Sequence, residues 1–371
     1  MNKTDILKHV GSIEQLADIR HVTYDDGRAR NAKAVEVKNG LMRFSVMEDK
    51  CLDISELTYK GLHINFLAKT GLMGRNQFDT RGMEAKRSLM LGLLFTCGFE
   101  NICTTYYDDK GKEYPFHGRL RTTPASHVCA SGNWVNDDYV MEISGDIREA
   151  ELGGENLLLH RTIKTKLGSY EVEIIDEVSN EAFRDETKMQ LYHFNMGYPF
   201  LNEKTHVLLP TKEITMKNEI ASMHKDEWEY MGKPKDNEPE YIYIHDLASD
   251  EEGNTFVACV NDEEEIAFKL MFNKKQLPYF MEWKNTASGD YALGLEPSNS
   301  IVWARKWHEK HGNLPMIKAQ SREVTKLKFA IIDGKENIEK LKNEVNDLLE
   351  KDLVKGVHYE MDWYKWKTNK N

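Results

Sequence analysis

The chain has 371 residues and a formal net charge of −11, which argues against nucleic acid or an anionic membrane surface as its partner. Hydrophobic residues make up 40% of the sequence, enough for a sizeable core in one large domain or two ordinary domains. The 5 cysteines are odd in number and lack paired spacing, which predicts reduced thiols. The start of the chain has no apolar signal region, and no apolar run is long enough to span a bilayer. We therefore expect a cytoplasmic protein.

Alternating sequence patterns predict strands in the N-terminal part of the chain. Residues 4–19 come first and predict one or two short helices, with Thr4 or Asp5 as the N-cap. Asn39-Gly40 then joins two alternating runs and is a strong hairpin signal. Residues 68–88 are rich in Gly, Arg and Asn and predict a long loop, a type of segment that is often functional. The strands predicted in this part fall within 35–46, 52–59 and 62–67.

The middle of the chain indicates an antiparallel β-sheet. Residues 88–98 are apolar on all sides, and periodicity alone leaves a buried strand and a buried helix turn equally open. Residues 160–167 and 170–178 flank Gly168-Ser169 and predict a long hairpin with polar residues on one face. Strands at this density, with turn signals between them, predict an all-β sandwich or a barrel. Further strands are predicted near 188–196, 206–209, 255–260, 266–272, 278–284, 291–296 and 323–332.

After Asp333-Gly334 the pattern changes to that of a helix, with apolar residues at helical spacing. No segment rich in Pro, Gly or Ser divides the chain before this point. We therefore predict one β-sandwich domain over residues 1–332 and a helical extension over residues 333–371. The helix and the aromatic tail 359–366 are expected to pack back on the body, and a homodimer contact is the alternative.

One stretch, residues 114–125, carries an unusual set of polar side chains. It predicts a short strand that is entered and left through prolines. Alternation along a strand places His117, Arg119 and Arg121 on one face and apolar or small residues on the other. An imidazole between two guanidiniums does not suit an apolar core, so this face is expected to meet water or a polar ligand.

Two later stretches offer matching polar groups. Alternation within residues 191–195 puts His193 and Asn195 on one face of a strand. Gly294 and Glu296 likewise share a face of a later strand, and the reverse of each strand is apolar. Three strands would therefore each present one titratable group, and in a single sheet these groups would converge on a common groove.

Two imidazoles and a carboxylate are suited to general acid–base chemistry near neutral pH. A carboxylate that accepts a proton from one oxygen, with a histidinium that donates to another, is enough to open a hemiacetal ring. Such a reaction uses no metal and no cofactor. The side chains predicted to hold a polyhydroxylated ligand are Arg119, Arg121, Asn195 and Trp283, because guanidinium and amide groups bond hydroxyls and indole stacks on sugar rings.

Each of these residues also has a purely structural interpretation. A histidine on a strand is more often a structural hydrogen-bonding residue than a catalyst. Trp283 lies in an aromatic run that would also suit a core. His308 and His311 are three residues apart, but no third ligand accompanies them, so no metal site is predicted.

The combination of motifs resembles the aldose 1-epimerase (galactose mutarotase-like) superfamily, and in particular a branch of uncharacterised bacterial members. The resemblance covers roughly residues 25–332. The motifs that carry it are Gly92–Gly98, His117-Gly118 with Pro124-Ala125, Tyr192–Asn195 with Gly197–Pro199, and Gly294–Pro297. The early Asp49–Ile54 departs from the family pattern, since Lys50-Cys51 stand where Arg and Gly are usual.

The resemblance implies an antiparallel β-supersandwich whose sugar groove lies on one sheet. It implies that Glu296 is the base for the anomeric hydroxyl, that His193 is the acid for the ring oxygen, and that His117 binds and polarises the sugar. It leaves open which residues replace the family's binding Arg and Asp. The candidates for the binding Arg are Arg119, Arg75 and Arg87. The candidate for the binding Asp is Asp246.

These observations predict a carbohydrate mutarotase, an isomerase that exchanges α and β anomers. Two alternatives stay open: an epimerase or isomerase acting at another sugar carbon, and a non-catalytic carbohydrate-binding or sensing protein. The expected ligand is a sugar or sugar derivative, and the Arg pair hints at an anionic one.

Overall fold

The computed structural model describes residues 2–74 and 82–355 of the chain. Two earlier expectations lie outside the described residues: a binding role for Arg75, and the packing of the tail 359–366. None of the helices within these ranges is long and apolar enough to cross a membrane.

The chain forms four α-helices and 23 strands within the described ranges. The helices are α1 (Lys3–Leu7), α2 (Glu219–Met223), α3 (Ala304–His311) and α4 (Lys335–Lys355). The strands are β1 (Asp18–Thr23), β2 (Lys33–Lys38), β3 (Met42–Met47), β4 (Asp53–Tyr59), β5 (Leu62–His63), β6 (Leu94–Phe99), β7 (Tyr106–Tyr107), β8 (Glu113–Tyr114), β9 (Ser126–Val135), β10 (Asp138–Ala150), β11 (Asn156–Lys166), β12 (Glu171–Asn180), β13 (Glu186–Thr187), β14 (Met189–Met196), β15 (His206–Leu208), β16 (Thr211–Met216), β17 (Tyr241–Leu247), β18 (Asn254–Asn261), β19 (Ile266–Asn273), β20 (Tyr279–Asn285), β21 (Ala292–Ser298), β22 (Met316–Ile317) and β23 (Arg322–Asp333).

Three large antiparallel sheets make up the body, and the predicted antiparallel β-sandwich is confirmed. The first sheet has five strands in the order β1-β2-β3-β4-β5. An eight-stranded sheet has the order β15-β18-β19-β23-β12-β11-β10-β9, and a six-stranded sheet the order β16-β17-β20-β21-β14-β6. Residues 88–98, which periodicity left open, contain the buried strand β6.

The core lies between the six-stranded and eight-stranded sheets. Phe194 of β14 packs against Phe268 and Phe329 of the eight-stranded sheet, with ring centroids 6.0 and 6.2 Å apart. Tyr192, two residues earlier on the same strand, is fully buried on the same side. Because side chains alternate along a strand, this packing turns the intervening His193 to the opposite face of the six-stranded sheet.

A buried ion network links the three large sheets. The Arg161 guanidinium pairs with Asp53 at 2.9 Å and with Asp176 at 2.7 Å, and all three side chains are inaccessible to water. The Tyr192 hydroxyl donates to Asp176 at 2.8 Å, and the Thr96 hydroxyl donates to Asp53 at 2.6 Å. Each carboxylate therefore has a charged partner and a further hydrogen bond, which offsets the cost of burying it.

Sequence predictions are confirmed at short segments whose geometry depends on neighbouring residues of the chain. The predicted hairpin at Asn39-Gly40 is confirmed, with the Asn39 carboxamide accepting from the Met42 amide at 2.8 Å and Gly40 at φ 94°. The N-terminal helix also forms, but its N-cap is Asn2 rather than Thr4 or Asp5, because the Asn2 side chain accepts from the Asp5 amide.

The predicted helix after residue 333 is present as α4. Its apolar residues Ile338, Leu341 and Val345 are buried against Phe256 of β18 and neighbouring residues of the eight-stranded sheet. The helix therefore covers the face of that sheet that lies opposite the sandwich core.

The strand predicted over residues 114–125 is wrong. The only strand that reaches into this stretch is Glu113–Tyr114, and Leu120–Thr122 forms a 3₁₀ turn. His117 and Gly118 both have left-handed backbone conformations, with φ of 57° and 71°. A Cβ on Gly118 would lie 2.0 Å from the Gly98 carbonyl oxygen, so close packing against β6 replaces strand geometry here.

Candidate active site

A cavity of about 1210 Å³ opens on the face of the six-stranded sheet that points away from the core. Its walls bring together three of the residues predicted from sequence to carry chemistry, together with one predicted to hold the ligand: His117, His193, Glu296 and Trp283. Loop residues around 66–70 and 82–91 form another part of its wall.

His193 and Glu296 face each other across two neighbouring strands. In the register of β14 and β21, Phe194 is paired with Leu295 and Asn195 with Gly294, which sets His193 opposite Glu296. Directly opposed residues in an antiparallel pair project from the same face. The His193 Nε2 atom lies 3.0 Å from Glu296 Oε1, and both side chains are buried. The sheet thus presents an acid–base pair whose two side chains are in direct contact.

Burial shifts the pKa of both members of this pair toward the neutral form. It raises the pKa of Glu296 to about 8, against a smaller opposing effect of the Lys217 charge. It lowers the pKa of His193 to about 3. A carboxylate and an imidazolium both lose hydration in this environment. These shifts leave the pair with one proton near neutral pH, on the carboxyl group.

His117 reaches the cavity from the loop after β8, held against the end of β6. The amide of Gly98 donates to the His117 carbonyl, and the amide of Arg119 donates to the Gly98 carbonyl at 2.9 Å. The His117 Nδ1 accepts a hydrogen bond from the Cys103 amide at 3.2 Å. The neutral ring therefore carries its proton on Nε2, which leaves that N–H as the donor for a ligand.

Burial lowers the pKa of His117 well below its usual range, and the neighbouring His193 and Arg121 act in the same direction. The His117 ring lies 6.0 Å from that of His193, measured between centroids. The two imidazoles are therefore neighbours, and both are neutral near pH 7.

Trp283 and Gly294 shape the floor beside the acid–base pair. The two residues are opposite each other on β20 and β21, and the Trp283 ring lies 5.4 Å from the His193 ring in an edge-to-face arrangement. The Trp283 Nε1 donates to Glu240 at 2.9 Å, which fixes the indole plane. A Cβ on Gly294 would lie 2.8 Å from His193 Cε1 and 3.0 Å from Glu296 Oε1. The absence of a side chain at position 294 therefore makes room for the pair.

Three of the predicted ligand-binding residues do not line the cavity. Arg121 is buried, and its Nε donates to the Phe116 carbonyl at 3.0 Å. Asn195 is buried beneath the floor, where its amide group donates to the carbonyls of Gly92 and His193 at 3.1 Å. Arg119 forms an ion pair with Glu100 outside the cavity. We do not include these three residues in the proposed site.

The environment of Arg119 is a second polar cluster. Glu100, Glu149 and Glu155 are buried with carboxylate oxygens within 4.8 Å of one another, a spacing that could hold a metal ion. Lys112 also pairs with Glu100 at 2.8 Å. Arg119 and Lys112 thus already supply positive charge to this cluster, which we interpret as structural.

Other polar residues considered from sequence have structural partners. The His308 Nε2 accepts from the Ile301 amide at 3.0 Å, which ties α3 to the preceding loop. Asp246 pairs with Lys274 at 3.0 Å and does not line the cavity. Arg87, by contrast, does line it.

Lys217 is one of several charged cavity residues that sequence reasoning did not single out. It follows β16 at the edge of the six-stranded sheet, and its amide donates to the Ile242 carbonyl at 3.0 Å. Nothing in the local sequence distinguishes this lysine from the many exposed lysines of the chain. Only the strand order, which places β16 and β17 beside β20, brings it to the cavity.

Several solved structures with the same architecture are described as aldose 1-epimerases or galactose mutarotase-like proteins. A candidate aldose 1-epimerase from Klebsiella pneumoniae is 19% identical and superposes with a TM-score of 0.86, covering 94% of this chain and 91% of that one. A galactose mutarotase-like protein from Clostridium acetobutylicum is 13% identical, with a TM-score of 0.56 over 86% of this chain and 99% of that one. A galactose 1-epimerase from Lactobacillus acidophilus is 8% identical, with a TM-score of 0.54 over 86% and 100%. The chain therefore has the galactose mutarotase-like fold.

The sequence itself assigns the chain to a family. The model of the family described as Domain of unknown function (DUF4432) matches residues 29–331, and the chain belongs to this family. A search among curated protein sequences finds no match.

Proposed function

We propose that the protein is a carbohydrate mutarotase that exchanges the α and β anomers of a sugar by general acid–base ring opening. The observation that carries the proposal is the 3.0 Å contact between His193 and Glu296 on the floor of a large cavity. Both groups are held at adjacent positions of a rigid sheet, close enough to reach neighbouring oxygens of one sugar ring.

In the proposed mechanism Glu296 accepts the proton of the anomeric hydroxyl while His193 donates a proton to the ring oxygen. The anomeric C–O bond becomes a carbonyl, and the bond between the anomeric carbon and the ring oxygen breaks. After rotation of the aldehyde, the same two groups return the protons and the ring closes on either face. Each residue acts once as acid and once as base.

The pKa shifts of the pair favour the protonation state of the open-chain stage of this cycle. There Glu296 is protonated and His193 is neutral, as burial dictates. A cyclic sugar requires the proton to move from Glu296 to His193, and the 3.0 Å contact between Oε1 and Nε2 provides the path. Sugar hydroxyls then replace the lost hydration of both charges.

Two further residues are proposed to position the ring. The Nε2–H of His117 can donate to a sugar oxygen, since its Nδ1 is engaged by the Cys103 amide. The half-buried indole of Trp283 can stack on the apolar face of a sugar.

The test is Glu296→Gln, with Glu282→Gln as the matched control. Glu282 lies on β20 of the same sheet, fully buried and 3.2 Å from His245, but outside the cavity. We expect Glu296→Gln to abolish anomer exchange, measured by exchange NMR or polarimetry, while sugar still binds. Its thermal stability should not fall, because burial already favours the neutral form at this position. Exchange at the wild-type rate in Glu296→Gln would refute the proposal.

The same experiments separate the alternative functions. Prolonged incubation of the sugar with the protein in deuterated water would place deuterium on carbon only if the enzyme acts at another sugar centre. Sugar binding without any anomer exchange would instead favour a binding or sensing protein.

A further inference from the structure

The charged side chains of the cavity wall are mostly cationic, although the chain as a whole is acidic. The cationic residues are Arg28, Lys69, Lys86, Arg87 and Lys217, and the anionic ones are Glu240, Asp290 and Glu296. The chain carries a net charge of −11, so this local excess of positive charge runs against the overall composition.

Each of the three carboxyl groups already has a partner. Asp290 pairs with Lys69 at 2.7 Å, Glu240 accepts from the Trp283 indole at 2.9 Å, and Glu296 contacts His193 at 3.0 Å. These three carboxyl groups therefore contact partners other than Arg28, Lys86 and Lys217.

Three cations of the wall have no carboxylate partner within residues 2–74 and 82–355. The Arg28 guanidinium donates to the backbone carbonyls of Thr70 and Arg87, both at 3.0 Å, and these bonds leave its charge in place. The Lys86 ammonium lies 5.8 Å from the centre of the Phe116 ring. Lys217 is half-buried and forms no ion pair in this part of the chain. A partly buried ammonium loses part of its hydration, and without an ion-pair partner nothing compensates for that loss. A bound anion would supply the compensation.

Lys217 also has a defined position relative to the acid–base pair. Its backbone pairs with Ile242, which is opposite Trp283, which in turn is opposite Gly294. Three strand spacings, roughly 14 Å at the backbone, thus separate it from Gly294. A lysine side chain spans part of this distance, so its ammonium can lie about one sugar ring away from the acid–base pair. Its charge lowers the pKa of both Glu296 and His117, as expected for a group on the same cavity wall.

From this arrangement we infer that the substrate is an anionic sugar, whose carboxylate or phosphate group lies on an exocyclic carbon and is bound by Lys217, with Lys86 and Arg28 adding positive potential. This inference names the substrate class of the proposed mutarotase and rests on that function. The cations then serve recognition, while His193 and Glu296 perform the chemistry.

The test compares anionic sugars with their neutral parents. D-glucuronate, D-galacturonate, D-glucose 6-phosphate and D-galactose 6-phosphate are assayed for anomer exchange by NMR beside D-glucose and D-galactose. We expect kcat/KM for at least one anionic sugar to exceed that of its parent by about tenfold or more, the effect of one charge-assisted hydrogen bond. The uronate and phosphate arms distinguish the two anions.

The variant is Lys217→Met, which removes the charge and keeps the length of the side chain. It should reduce the ratio of anionic to neutral kcat/KM by about tenfold, mainly through KM, and high salt should reduce the same ratio in the wild type. The matched control is Lys225→Met, an exposed lysine outside the cavity, which should leave the ratio unchanged.

Binding of methyl glycosides separates this inference from the proposed function. A methyl uronide has no free anomeric hydroxyl and cannot exchange anomers, yet it offers the same carboxylate. Calorimetry should show tighter binding of the methyl uronide than of the neutral methyl glycoside, and the difference should vanish in Lys217→Met. Such a preference without any exchange would overturn the mutarotase function and support the anion site. Exchange with equal kcat/KM for charged and neutral sugars, in the wild type and in Lys217→Met, would overturn the anion site.

Discussion

Gly294→Ala is a small change that should disable the proposed site while retaining both reacting side chains. The new Cβ would lie 2.8 Å from His193 Cε1, 3.0 Å from Glu296 Oε1 and 3.1 Å from Trp283 Cβ. Ordinary carbon contacts are roughly 3.5–4.0 Å, so the imidazole must move by about 1 Å or the strands must separate. Overpacking of this kind costs about 1–3 kcal/mol.

The catalytic effect should exceed the effect on stability. A displacement of about 1 Å in a catalytic group can cost on the order of 10²-fold in rate. The 3.0 Å contact between His193 and Glu296 is the geometry at stake. We therefore expect anomer exchange, measured by exchange NMR, to fall about 100-fold, with a cooperative unfolding transition retained.

Gly11→Ala is the control for adding the same methyl group elsewhere. The nearest atom to its new Cβ would be 3.6 Å away, so neither stability nor rate should change appreciably. A Gly294→Ala variant that is folded and exchanges anomers at the wild-type rate would show that the spacing of the pair does not matter. The proposed mechanism would then be refuted.

Two further predictions concern ionisation and the core. The His193–Glu296 pair should hold its single proton between about pH 3 and about pH 8. The kcat/KM for exchange, corrected for the uncatalysed rate, should therefore fall about tenfold per pH unit above pH 8. A pH profile with an acid limb near pH 4.5 and no alkaline limb would contradict the shifted pKa of Glu296. Arg161→Met should lower the free energy of unfolding by about 3–5 kcal/mol in urea titrations, because it strands two buried carboxylates. Arg148→Met, which removes an exposed ion pair, should cost no more than about 1 kcal/mol, and equal losses in both variants would contradict this account of the network.

The six-stranded sheet has two buried His–Glu pairs, one on each face. Only the pair on the cavity face is a candidate for catalysis. His245 and Glu282 lie on β17 and β20 and are inaccessible to water, whereas His193 and Glu296 open to the cavity. Burial raises the pKa of both carboxyl groups. A shifted pKa therefore does not identify a site, and access to a ligand is the feature that differs between them.

The sequence alone determined the strand pattern, the hairpin turn at Asn39-Gly40 and the strand face that His193 shares with Asn195. These features depend on alternation and turn chemistry, which are local properties. The sequence also pointed to His117, but through a strand that does not exist; a left-handed turn packed against β6 places it at the cavity. Its polar character was readable from the sequence, and its geometry was not.

The tertiary structure decided everything that depends on pairing between distant strands. A register slip of one residue between β14 and β21 would move His193 away from Glu296, and no local pattern fixes that register. The same holds for the cations: Arg119 and Arg121 looked suited to binding but pair elsewhere, while Lys217 reaches the cavity only because β16 lies at the edge of that sheet. Strand order and register are set by the packing of the whole core. The sequence therefore indicated the acid–base groups, and the fold determined which residues surround them.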